Sequence, residues 1–189
     1  MIGTNGNEGS LLGANPKVDS IAGDQEDWSR LRTLYGKQAE SDIDFARVLF
    51  RDLYFAAPAR WIAVHKGNTT SAYLYRFDYV MSLLRSRRIG ADHGSEVPFV
   101  FSTWTTDRLS DADRQMTAMV HSCWVAFAKT GTPVCIGAPA WPAYRADTDL
   151  LMNFSDPTSI RKPENSAVLD ALQVRLGGTA ATPSRPINE

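Results

Sequence analysis

The sequence predicts a mixed α/β chain, mostly helical, built on one or two strands of a central sheet. Three stretches carry that expectation. Residues 71–80 (SAYLYRFDYV) alternate Tyr73, Tyr75, Phe77 and Tyr79 with smaller or polar residues, the period-two pattern of a strand. Residues 110–129 place Met116, Met119, Val120, Cys123, Trp124 and Phe127 on one stripe, behind Ser110 and Asp113 at capping-box spacing. Residues 1–5 (MIGTN) read as the end of a buried strand entering a turn, so the natural beginning, with any targeting signal, is expected outside this chain.

The remaining elements follow in order. Residues 3–15 are rich in Gly and Asn and read as a turn, with Glu8 as their one ionisable group. A short surface helix is expected around residues 27–35. Phe45, Leu49, Phe50 and Leu53 recur at helical spacing behind Ser41 or Asp42 as N-cap. Pro58 should break or kink that helix, and its continuation through His65 should stop at Gly67. The long helix over 110–129 should end at Gly131 and Pro133. Residues 141–144 (WPAY) form an aromatic turn, residues 150–154 a short edge strand, and residues 168–176 a last helix.

Composition sets bounds on function. The chain has 189 residues, 43% hydrophobic and 22% charged, which suits a globular domain. A net charge of −1 offers no basic face for nucleic acid, and the run Arg85-Ser86-Arg87-Arg88 reads as a solvated turn. No apolar run is long enough for a membrane span, and no signal peptide follows Met1, so a cytoplasmic location is the default expectation. Two cysteines are too few for a disulfide framework. His121, Cys123 and Cys135 make a weak metal set, because His121 and Cys123 lie two apart on a helix and point to different sides. No metal or cofactor is expected.

The loop 89–101 (IGADHGSEVPFVF) holds the most suggestive single residue, His93. Gly90 and Gly94 would let the backbone bend sharply beside the imidazole. On its own, such a histidine reads as a solvated side chain, and Glu8 as a surface carboxylate or a helix cap. His65, near a helix C-terminus, reads as structural.

Six pieces change that reading when taken together: GTNGNEGSLL at 3–12, DLYFAAPAR at 52–60, AYLYRFDY at 72–79, GADHGSEVPFVF at 90–101, WVAFAKTGTP at 124–133 and WPAY at 141–144. In their order and spacing the chain resembles the C-terminal part of the type-B carboxylesterases, cholinesterase-like serine esterases of the α/β-hydrolase fold. The resemblance implies the C-terminal portion of that fold, with an incomplete sheet, over residues 1–176; residues 177–189 (GGTAATPSRPINE) read from their composition as a disordered tail. It implies that Glu8, in the N-x-x-E-G turn, is the acid of a Ser-Glu-His triad and that His93 is its base. The order acid then base agrees with the nucleophile, acid, base order of this fold.

No G-x-S-x-G elbow occurs in the 189 residues, and no glycine-rich oxyanion segment. The resemblance therefore implies a fragment of a carboxylic-ester hydrolase that acts on a small-molecule ester and takes its serine and oxyanion hole from an N-terminal half. Two alternatives stand beside it. One is an inactive fragment or non-catalytic interaction module of the same fold. The other is a rearranged enzyme using Ser10 or Ser95 as nucleophile. Leu11 and Leu12 could line the acyl or alcohol pocket, or belong to the core.

Overall fold

A computed structural model describes residues 1–22, 28–65, 70–175 and 177. The expected helix stop at Gly67 and the tail from 178 onward lie outside the described residues. Among the described residues four strands form one mixed, open sheet in the order β1 (Ile2–Asn5), β2 (Leu74–Phe77), β3 (Leu151–Phe154), β4 (Ser159–Arg161). β1 and β2 pair in parallel, Gly3 opposite Tyr75 and Asn5 opposite Phe77; β2 and β3 are also parallel, and β4 returns antiparallel. The sheet thus exceeds the one or two strands expected. Residues 151–154 form an interior strand, not an edge, and β4 is too short at three residues to show a periodicity in the sequence.

The crossover from β1 to β2 is helical. It carries a 3-10 turn (Glu8–Leu12), α1 (Asp19–Ala22), α2 (Trp28–Tyr35), a second 3-10 turn (Gly36–Ala39), α3 (Asp42–Arg51) and α4 (Ala57–Val64). Ser41 caps α3 by accepting the Asp44 N–H. No break occurs at Pro58. One π-helical turn, Asp52–Ala56, joins α3 to α4, and Pro58 sits in the first turn of α4, where its missing N–H leaves no bond unmade. The crossover from β2 to β3 carries α5 (Val97–Phe101) and α6 (Asp111–Thr130); α7 (Ser166–Arg175) closes the described part. α6 has the full capping box at Ser110 and Asp113 and ends at Gly131 in the left-handed region, as its sequence predicts.

The period of two in β2 sorts its side chains onto two faces. Tyr73, Tyr75 and Phe77 join Phe99, Val120, Met152 and Phe154 under α5 and α6. Leu74 joins Ala59, Ala63, Tyr144 and Leu151 under α4. Covering on both faces is the normal state of parallel strands. A third cluster, with Trp28, Leu31, Phe45, Leu49, Val168 and Leu172, packs α2, α3 and α7 together. Buried ions are paired. Arg60 bonds Asp149, Asp170 and Gln173 and so ties α4 to α7. Asp52 receives Tyr35 and Arg51.

Cys123 and Cys135 form a disulfide, with Cα atoms 4.4 Å apart. The bridge takes both thiols out of the metal set considered above. The Nδ1 of His121 is directed at the Val100 carbonyl, 2.8 Å away. Among the described residues no helix is long and apolar enough to cross a membrane.

Candidate active site

The C-terminal end of β1 and the loop after β2 meet because β1 and β2 are neighbours in the sheet. Parallel pairing continues past the strand ends as Gly6 N–H donates to Phe77 O and Asn7 N–H donates to Ala91 O. A bridge then forms between Asn7 and Asp92. Residues 85 apart in sequence are thereby placed side by side. His93 Nδ1 lies 2.5 Å from Glu8 Oε2. A carboxylate oxygen accepts, so Nδ1 carries the hydrogen and Nε2 is left as the proton-accepting nitrogen.

Each partner is held from several sides. Glu8 is buried at 4% exposure; its Oε1 accepts the Asn5 N–H at 2.7 Å and the Thr4 hydroxyl at 3.0 Å. Those two bonds fix the carboxylate plane and leave Oε2 for the imidazole. The His93 backbone N–H donates to Ser10 Oγ at 3.1 Å, which anchors the histidine backbone to the 3-10 turn that carries Glu8. The Asn7 amide donates to Asp92 Oδ1, and Arg88 pairs with Asp92. Phe55, from the π turn, packs its ring 5.6 Å from the His93 ring centre. The His93 side chain keeps 46% exposure, so one face of the ring is open.

Gly94 has φ +74, which explains the glycine after His93. Gly90 does not adopt a left-handed φ. It is needed for space, since a Cβ there would meet Asn7 Cβ at 3.2 Å. His93 opens onto a cleft of about 460 Å³ walled by Leu11, Met81, Leu84, Phe99 and Trp104. Leu11 is thus at the cleft, whereas Leu12 packs against the helical core. Neither candidate serine serves the imidazole. Ser10 Oγ accepts the His93 backbone N–H and makes no bond to the ring among the described residues, and Ser95 Oγ is buried with no hydrogen-bond partner there. His65 caps α4 and stacks on Trp61.

Sequence reasoning named Glu8 and His93 but not their supports: Thr4, Asn5, Glu96 and Phe55. Asn5 sits inside the very N-x-x-E-G motif that flagged Glu8, so a signal was there. Glu96 Oε2 accepts from the Asn5 side-chain amide. Burial first, then the carboxylates of Glu96 and Glu8, push the Tyr75 phenol above its ordinary range.

A buried carboxylate bonded to a half-exposed imidazole, at the C-terminal ends of the parallel strands of a mixed sheet covered by helices, is an arrangement that suits the α/β-hydrolase fold. Solved structures agree. Aspergillus niger EstA superposes with a TM-score of 0.68 at 17% identity over 92% of this chain and 39% of its own; at that identity the match speaks for the fold. A thermophilic PNB esterase gives 0.64 at 26% identity, over 90% of this chain and 37% of its own. The sequence profile of the Carboxylesterase family matches residues 19–171, and the chain belongs to that family. The matched span includes His93 and leaves Glu8 just outside.

Curated relatives include phenmedipham hydrolase of Pseudarthrobacter oxydans, 30% identical over 178 residues, covering 82% of this chain and 35% of the relative. Para-nitrobenzyl esterase of Bacillus subtilis (strain 168) is 30% identical over 143 residues, 72% of this chain and 28% of its own. Pyrethroid hydrolase Ces2a of Mus musculus is 27% identical over 146 residues, 74% of this chain and 24% of its own. The chain therefore spans about a quarter to a third of the length of these relatives.

Proposed function

We propose that this chain is the C-terminal part of a carboxylic-ester hydrolase, with Glu8 as triad acid and His93 as general base, completed by an N-terminal half that supplies the serine and the oxyanion hole. The observation that carries the reading is the 2.5 Å bond between a buried Glu8 and a half-exposed His93. His93 Nε2 takes the serine proton as the hydroxyl oxygen attacks the ester carbonyl, then returns it to the departing alkoxide. A water repeats the step on the acyl-enzyme and releases the carboxylic acid. Glu8 holds the tautomer and stabilises the imidazolium formed on the way. The apolar cleft beside His93 suits the hydrocarbon part of an ester.

The test is complementation. The chain is incubated with a fluorophosphonate probe alone, and again with a separately produced N-terminal half carrying G-x-S-x-G. The expected result is no labelling of the chain alone, but labelling of the partner half and ester hydrolysis on mixing, both lost in His93→Ala. Labelling of the chain alone that disappears in His93→Ala would instead point to a nucleophile within these residues. A mixture that forms a complex yet hydrolyses no ester would favour an inactive fragment.

A further inference from the structure

Asn5 makes three bonds that no triad role accounts for in sum. Its backbone N–H goes to Glu8 Oε1 at 2.7 Å. Its side-chain amide donates one hydrogen to the Asp92 carbonyl at 2.7 Å and the other to Glu96 Oε2 at 2.5 Å. Asp92 immediately precedes His93, and Glu96 follows it by three. One residue thus touches the acid directly and grips the base's loop on both sides of the base. It does so from the end of β1, where the register with Phe77 fixes its position. Asn5 is 2% exposed, so neither amide hydrogen has water as a substitute partner.

We propose that Asn5 is a positioning residue for the acid–base pair, and that Glu96 is its anchor in the His93 loop. This rests on the reading of Glu8 and His93 as acid and base. The chemistry at position 5 is demanding. Two donors are required on one short planar group. Aspartate offers none and would face the Glu96 carboxylate with a like charge. Serine supplies one donor and is too short to span both acceptors. Leucine would leave Glu96 without its buried partner. At Glu96 the demand is for an acceptor, which glutamine also supplies, so the charge matters less than the oxygen.

The consequence is specific to His93. Without the strut, the loop 91–96 keeps its own turn, since Ser95 N–H still donates to Asp92 O. What it loses is its registration against Glu8. The imidazole then leaves the carboxylate for part of the time, while the rest of the fold is unchanged.

The experiment reads His93 itself, with no need of a nucleophile. Long-range proton–nitrogen spectra of the uniformly ¹⁵N-labelled chain report which ring nitrogen carries the hydrogen and how fast the Nδ1 proton exchanges with water. His65→Gln and His121→Gln spectra assign the signals. Glu96→Ala, which removes one hydrogen bond to a charged group, is expected to speed exchange of that proton about tenfold, and Asn5→Ala, which removes two hydrogen bonds, at least as much. Glu96→Gln should restore near wild-type exchange, which a merely electrostatic role would not do. Should Asn5→Ala fail to fold, Glu96→Ala against Glu96→Gln decides alone, because Glu96 lies outside the core. Unchanged His93 signals in Glu96→Ala, with altered ones in Glu8→Gln, overturn the strut and leave the pair standing. Unchanged signals in Glu8→Gln overturn both.

Discussion

Replacing Glu8 by glutamine keeps the shape and removes one acceptor, and its effect can be worked out from the bonds around the carboxylate. The amide oxygen has two places to go. In Oε1's position it keeps the Asn5 N–H and the Thr4 hydroxyl, and the new NH₂ then faces His93 Nδ1. Nδ1 must become an acceptor, so the ring hydrogen moves to Nε2. In the reverse orientation Nδ1–H survives, but the NH₂ confronts the Asn5 N–H. Thr4 can rotate its hydroxyl to accept; a backbone N–H cannot. Leaving that buried donor unmade costs about 1–3 kcal/mol, so the first orientation is favoured about 5- to 150-fold. Glu8→Gln should therefore convert His93 to the Nε2–H tautomer, which cannot take a proton at Nε2. Imidazole ¹⁵N shifts of wild type and variant distinguish the tautomers directly. In a complemented enzyme, kcat should fall on the order of 10⁴-fold, as for the equivalent change in a serine protease triad. A Glu8→Gln chain that folds and retains the Nδ1 hydrogen would refute the reasoning, for it would mean that Asn5 and Thr4 do not orient this side chain.

Three further outcomes follow from the packing. Gly3→Ala would place a Cβ 2.4 Å from the Tyr75 carbonyl oxygen, forcing β1 off β2; a loss of roughly 1–3 kcal/mol or more is expected in urea unfolding, with His93 signals disturbed at the same time. Reducing Cys123–Cys135, which closes a loop of sequence separation 12, should destabilise the chain by up to roughly 3 kcal/mol, measured as a lower urea midpoint in dithiothreitol than in buffer. Burial alone would raise the Asp113 carboxyl, but the Ser82 and Ser110 N–H groups and the Tyr79 and Ser110 hydroxyls outweigh it and hold it below its ordinary value of 3.8. A carboxyl lowered by folding contributes stability that is complete above its unfolded value and fades as pH falls through the folded one. The stability gap between wild type and Asp113→Asn should thus be constant near about pH 6 and shrink below about pH 4; a gap that widens on acidification would contradict this.

Local patterns were the legible part of the sequence. The α6 capping box and stripe and the Ser41 cap depend on neighbours within a few positions and formed as their spacing predicts; the alternation over 71–80 marked β2, but the strand itself is confined to Leu74–Phe77. β3 was visible as an apolar run, but its interior place in the sheet depends on a parallel partner more than seventy positions away. β4 has three residues and no periodicity to read. Pro58 misled because its meaning depends on phase: a proline in the first turn of a helix starts it, and the π turn before it moved that first turn. Glu8 and His93 were separable from ordinary loop residues only through the resemblance of whole motifs, since nothing local distinguishes a loop histidine bonded to a distant carboxylate from a solvated one. Their supports at Thr4, Asn5 and Glu96 became visible only when the sheet register brought the two loops together.

The π turn at Asp52–Ala56 has a consequence of its own. A π turn holds one residue more than the helix around it requires, so α4 leaves α3 about 100° out of phase with an uninterrupted helix. That offset decides which ring arrives under the imidazole, and Phe55 is the one that does. Deleting a single residue from the turn would let the two helices merge into one regular rod. The merged helix would swing Phe55 aside and leave the His93 loop resting on a different side chain. A one-codon length change here can therefore alter the surroundings of His93 without touching any residue of its loop, which makes helix phase a variable of the site.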